Sequence, residues 1–190
     1  MLSAPGVERP AAPPPTPPNG VEVLDWWQES YRTLLAVLTS VDGDRPAWNW
    51  APQPKRAAFW LRRMAHLTAL DRWDVQRADG TPEPLEPRAA ADGIAELFDT
   101  ILAAKLGVRA HDPAGAVGLT ANDVGQEWLV RLRRTGFALL DTSSHLRPAL
   151  DATVTGPAGE LLLALTGRVG FGLLGSTGDA RLLAQLVPET

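Results

Sequence analysis

The sequence has no cysteine. That one absence removes disulfides, thiolate zinc sites, iron–sulfur clusters and cysteine nucleophiles together. Basic residues are also in deficit. Eighteen Lys and Arg against 22 Asp and Glu leave a net charge of −4 and a pI near 5.4, the wrong sign for a dedicated nucleic-acid surface. No apolar run approaches the ~18 residues of a membrane span. The start, Met1 to Pro18, lacks the basic flank and apolar stretch of a signal peptide. These absences lead us to expect a soluble, cytoplasmic protein with no nucleic-acid or membrane partner.

What is present is an ordinary globular composition, 45% hydrophobic and 21% charged over 190 residues. That suits one domain, or two small ones. The chain reads as three blocks. Residues 1–20 form a tail holding seven of the 17 prolines, which reads as an extended linker, with an SH3-type ligand as the functional alternative. Residues 21–107 are helical. Val23, Trp26, Trp27, Leu34, Leu35 and Leu38 keep helical spacing over about Glu22 to Val41, and Asp42-Gly43-Asp44 and Pro46 end that helix. A second helix, Pro54 to Ala78, carries Ala57, Trp60, Leu61, Met64, Leu67 and Thr68 on one stripe. A third, Arg88 to Leu106, carries Ile94, Leu97, Phe98, Ile101 and Leu102, with Gly107 as C-cap.

Residues 116–190 change period. Val117–Ala121, Glu127–Arg133, Gly136–Asp141 and Ala152–Thr155 are short, β-compatible and separated by turn residues. Glu160–Thr166 reads as a helix, Phe171–Ser176 as a last strand, and Gly178–Leu186 as a closing helix. The fold class is therefore α+β, a helical region followed by a small α/β domain.

Among polar residues, Asp71 lies four after Leu67 and seven after Met64, on the apolar stripe of its helix. Either it is a site carboxylate facing an interhelical cavity, or the stripe is open to water at that turn. His66 neighbours the stripe, and His111 and His145 lie in connections. Three scattered His make no metal signature. Ser143-Ser144-His145 reads as a turn rather than a nucleophile–base pair. Gly170-Phe171-Gly172-Leu173-Leu174-Gly175 fits G-x-G-x-x-G, but no βαβ unit follows and it is rejected as a nucleotide site. The adjacent Arg168 could hold a carboxylate bidentately. The basic second helix reads as a solvated face, and the six Trp of the helical block as core and loop-plug residues, although Trp at bundle ends also lines ligand cavities.

Several runs taken together carry a resemblance. Pro46-Ala47-Trp48-Asn49-Trp50-Ala51-Pro52, Phe59 to His66, Arg72-Trp73-Asp74 and Ala91 to Leu97 are similar to the mycothiol-dependent maleylpyruvate isomerase family. So are Val154-Thr155-Gly156-Pro157-Ala158, Gly167-Arg168 and Gly178-Asp179, and the match covers about Val21 to Val187. The resemblance implies a DinB-like four-helix bundle followed by a sterol-carrier-like domain. It also implies a divalent metal, typically zinc, and mycothiol as thiol cofactor, for isomerising maleylpyruvate or transferring the thiol to small electrophiles.

The departures lie at the implied metal. Where the family pattern after His66 places Glu and, four residues on, His, this sequence has Leu67 and Asp71. A further His would come from a helix upstream of the first one here, and two N-terminal helices have no counterpart. A start placed inside a longer gene accounts for the same gap. Two readings follow. In the first, the chain has lost metal chemistry and acts as a binding or partner subunit. Its incomplete bundle is then covered by a homodimer or another partner. The alternative is an active mycothiol-dependent isomerase or thiol transferase with a rearranged site. That site would use Asp71 and His66, with Arg168 holding a substrate carboxylate. No catalytic residue or metal ligand is assigned.

Overall fold

The computed structural model describes residues 8–10, 16–20, 22–105, 112–143 and 148–188. Most of the proline-rich tail, Gly107, His111, Ser144 and His145 lie outside the described residues. The chain divides into two compact units, Met1–Ala65 and His66–Thr190.

In the first unit, α1 (Glu22–Ser40) opens with Glu22 and Asp25, the charge sign that suits a helix N-terminus. An Asx turn ends it: the Asp44 N–H donates to Asp42 Oδ1 at 3.0 Å, and the Arg45 N–H donates to the Asp42 carbonyl at 3.0 Å. The aromatic connection then folds around Asn49, which is buried. Its Nδ2 donates to the Pro54 carbonyl (2.9 Å), and its Oδ1 accepts from the Ala51 N–H (3.1 Å) and Lys55 Nζ (3.1 Å). A buried amide left without these bonds would cost several kcal/mol, so the loop has one conformation that satisfies it. Trp60 Nε1 donates to the Trp48 carbonyl (2.6 Å), and Trp50, Phe59 and Trp60 meet edge to face. Trp48 and Trp60 thus plug the loop, while Trp50 meets Phe59 edge to face but stays 43% exposed.

The helix α2 (Ala57–Ala78) begins in the first unit and continues into the second. There its buried residues are His66, Leu70 and Trp73. After it, α3 (Pro87–Glu96) starts with proline at its first turn and Glu86 as N-cap. The expected single helix is broken: Leu97–Leu102 is a π-helical turn, and only Ala103–Lys105 (α4) returns to α geometry.

Five strands follow in the order β3-β2-β1-β4-β5. Strands β1 (Gly115–Ala121) and β2 (Gln126–Leu132) form an antiparallel hairpin, with β3 (Phe137–Leu140) beside β2. Strand β4 (Ala152–Gly156) runs parallel to β1, which makes the sheet mixed. Helix α5 (Ala158–Leu165) starts where β4 ends, and α6 (Ala180–Ala184) closes the chain. Phe171–Leu173 is a 3₁₀ turn rather than the expected strand, and β5 is Gly175–Gly178. At the end of β5, Gly178 sits at φ +81° with Asp151 O only 2.2 Å from where a Cβ would stand, so glycine alone lets β5 close against β4.

The core of this unit joins Ile94, Leu97, Phe98 and Leu102 of the helical segment to Val117, Leu119, Val130 and Val154 of the sheet and to Leu161 and Leu165 of α5. Each such side chain contributes about 1.5–3 kcal/mol by leaving water. Among the described residues, no helix is long and apolar enough to cross a membrane.

Candidate functional site

One cluster of chemistry-bearing side chains is buried in the second unit. His66 comes from α2. Asp92 and Glu96 come from α3, four residues apart and therefore on one face. His66 Nδ1 lies 2.8 Å from Glu96 Oε2, and His66 Nε2 lies 3.1 Å from Asp92 Oδ2. The Glu96 side chain is 2% exposed and that of Asp92 is 52% exposed, so the imidazole bridges an interior carboxylate to one at the surface. Which ring nitrogen donates depends on the tautomer, and a neutral imidazole donates through one of them only. Gly93 makes room for this packing: a Cβ there would stand 2.8 Å from Leu162 Cδ2 and 3.6 Å from His66 Cδ2.

Sequence reasoning named His66 but missed both acids. Their signal was an acid pair at four-residue spacing, with Glu96 placed between the apolar Ile94 and Leu97. That is a position where a carboxylate demands a partner.

The other two candidates stand elsewhere. Asp71 is exposed. The buried stripe of α2 in this unit is His66, Leu70 and Trp73, not the stripe through Met64, Leu67 and Thr68 on which Asp71 was placed. Asp71 therefore faces water, not a cavity. Arg168 does hold a carboxylate bidentately, but it belongs to the chain itself: Nε and Nη2 donate to the two oxygens of Asp74 at 2.9 and 2.7 Å. The guanidinium expected to hold a substrate is thus already engaged. The three candidates are not brought together.

The residues present do not fit a divalent metal of the kind the resemblance implies. Both ring nitrogens of His66 lie within 3.1 Å of carboxylates of the same chain, so neither nitrogen is directed at a free position. Asp92 and Glu96 meet opposite nitrogens of the ring rather than converging on one point. Leu67 supplies no donor atom, and Asp71 is exposed. Among the described residues, no group of three or more His, Asp or Glu is arranged to hold a metal ion.

A helical region followed by a small unit with a mixed five-stranded sheet, with an imidazole–carboxylate cluster on its helices, defines a two-part α+β class. Within that class the chain belongs to the mycothiol maleylpyruvate isomerase family. The family's C-terminal domain matches residues 88–185, and its N-terminal domain matches residues 3–76.

Solved structures show more distant likeness. A stereoselective inverting sec-alkylsulfatase from Pseudomonas sp. is 20% identical over 54% of this chain, with a TM-score of 0.42. The match spans only 17% of that enzyme. A ubiquinone synthesis protein of sterol carrier type is 13% identical over 65% of this chain and 93% of its own, with a TM-score of 0.30. Sterol carrier protein 2 like 2 from Aedes aegypti is 22% identical over 66% of this chain and 95% of its own, with a TM-score of 0.26. No curated protein matches the chain.

Proposed function

We propose that the chain is a divergent member of the mycothiol maleylpyruvate isomerase family that works without the family's metal, as a non-catalytic binding or partner subunit. The observation that carries this is the state of His66. The one imidazole near the expected ligand positions spends both nitrogens on Glu96 and Asp92. A catalytic zinc needs about three protein ligands and an open fourth position, and freeing an imidazole from a buried carboxylate leaves that carboxylate short of a partner, at a cost of about 1–3 kcal/mol. The apolar Leu67 and the exposed Asp71, where the family pattern has Glu and His, support the same reading.

Metal content of protein purified without chelator tests it, measured beside turnover of maleylpyruvate with mycothiol. The expected result is no stoichiometric zinc and no mycothiol-dependent isomerisation. One zinc per chain together with turnover overturns it.

A second reading, an active isomerase or thiol transferase with a rearranged site, has one observation in its favour. His66, Asp92 and Glu96 form a positioned imidazole–carboxylate cluster with one end at the surface, a usable proton donor and acceptor. On that reading Asp92→Asn abolishes turnover while leaving the fold intact.

A further inference from the structure

Helix α1 has no buried residue, although Leu24 is 65% and Trp27 58% exposed. Leu24, Trp27, Tyr31, Leu34 and Leu38 follow one another at spacings of three and four, a heptad seam along the helix. Trp27 and Tyr31 are already stacked, with ring centroids 5.7 Å apart and planes 11° from parallel. The same unit holds an apolar cleft of about 580 Å³. Leu38 and Val41 line it on one side and Ala57, Trp60 and Met64 on the other, and Arg45 also lies on its wall.

We propose that this face is covered by a second copy of the chain. In the pair, α1 packs antiparallel on its partner, and each copy's Trp27 seats in the other's cleft. The proposal rests on the partner-subunit reading and names the partner.

Self-complementarity commits the face to this occupant. Exposed aromatic knob and apolar hole lie on one chain, so a two-fold axis satisfies both at once. Antiparallel, the seam pairs Leu24 with the partner's Val41, Trp27 with its Leu38 and Tyr31 with its Leu34, with no polar residue opposed. Trp27 then enters beside Arg45, whose guanidinium suits an aromatic face.

Charge selects the same direction. Glu22, Asp25 and Glu29 all lie in the first half of α1, and the half from Thr33 to Ser40 carries no charge. These acids sit on the outer face of the heptad, away from the seam, so the direction is set by the helix dipoles, which an antiparallel pair opposes and a parallel pair aligns. The acidic polar face also rules against a lipid surface, which calls for Lys and Arg there. Seven exposed large apolar side chains on α1 put on the order of 600 Å² on the surface of each copy, so a pair buries about 1,000 Å², the lower range of a specific interface.

Sedimentation equilibrium of the full chain at micromolar concentration provides the first test, with twice 20.4 kDa expected. Trp27→Glu should raise the dissociation constant at least roughly thirtyfold, as loss of a central aromatic anchor does, while Asp25→Asn on the polar face should leave it within about threefold. Because the native chain has no cysteine, introduced ones report register directly. Mixed Leu24→Cys and Val41→Cys chains should cross-link under oxidation. Leu24→Cys alone should not, since its copies then stand about 25 Å apart along the seam at about 1.5 Å per residue. The cross-link decides even if Trp27→Glu fails to fold.

Three results overturn the proposal: a monomer, a dimer indifferent to Trp27→Glu without the mixed cross-link, or self-cross-linking of Leu24→Cys. A monomer would leave the metal and turnover results untouched, so this failure and failure of the partner-subunit reading are separable.

Discussion

Helices α1 and α5 are both rich in apolar side chains, yet they meet opposite fates. In α1, 19 residues long, no residue is buried. In α5, eight residues long, every position but Glu160 is buried. The shorter helix follows β4 directly and packs into the sheet-bearing core, so its burial is supplied by the chain itself. The longer one carries an apolar stripe, and apart from the cleft lined by Ala57, Trp60 and Met64 most of its side chains stay exposed. Apolar periodicity therefore states that a face needs covering and says nothing about what covers it. In this chain the second unit holds its own core, and the first presents its apolar face outward.

The sharpest way to break that contrast is to damage each side in turn. Phe98 is 1% exposed within the core of the second unit. Phe98→Ala should lower unfolding free energy by about 3–5 kcal/mol, the usual cost of removing a buried ring and leaving a cavity. Leu35 on α1 is 47% exposed in the single chain, and below the concentration at which chains pair, Leu35→Ala should shift the same urea transition by less than about 0.5 kcal/mol. Equal effects would mean that α1 shares the core of the second unit, and the comparison would fall.

Next in size comes the buried cluster. His66→Ala removes a hydrogen-bonded imidazole from the interior Glu96 carboxylate and should cost about 3 kcal/mol in the same denaturation experiment. In a Glu96→Gln background the same substitution should cost at least about 1 kcal/mol less, because the neutral amide asks less of its neighbour. Additive losses would show that His66 acts through packing alone.

How much of this could be read in the sequence follows from where each signal resides. The stripe Ile94, Leu97 and Phe98 is a one-element pattern, and the structure buries those residues as it predicts; in β2, Trp128, Val130 and Leu132 are buried but so is Leu129, so that strand is covered on both faces there. The family was legible too, because its motifs are runs of adjacent residues. Asp71 was misplaced because α2 carries two stripes, Ala57, Trp60 and Met64 lining the cleft and His66, Leu70 and Trp73 in the core, and a single periodicity merges them. The π turn at Leu97–Leu102 keeps the apolar spacing of a helix while changing its hydrogen bonds, so spacing could not reveal it. Arg168 shows the same limit from the chemical side. Its fork geometry announced a carboxylate partner, but only the fold names Asp74, 94 residues away.

The smallest effect concerns how the second unit's helical segment begins. Glu86 is exposed, yet its carboxyl is held below the usual glutamate range, first by the hydrogen bond from the Ala89 N–H (2.6 Å) and then by that from the Arg88 N–H (3.1 Å). Both donors are N–H groups that a helix start otherwise leaves without partners, so the cap serves only in the folded state. A folded-state pKa below the unfolded one means that the unfolded chain binds the proton more readily. The cap's contribution is therefore complete above the unfolded glutamate pKa, and it is lost as pH falls through the lowered folded value. Glu86→Gln keeps a single acceptor oxygen and no titrating charge. Its deficit against the parent chain should be largest near neutrality and shrink through the acid range, measured as the difference between paired urea midpoints at each pH. A deficit that stays constant with pH would assign the effect to shape alone, and α3 would then owe its start to Pro87 and the core rather than to its cap.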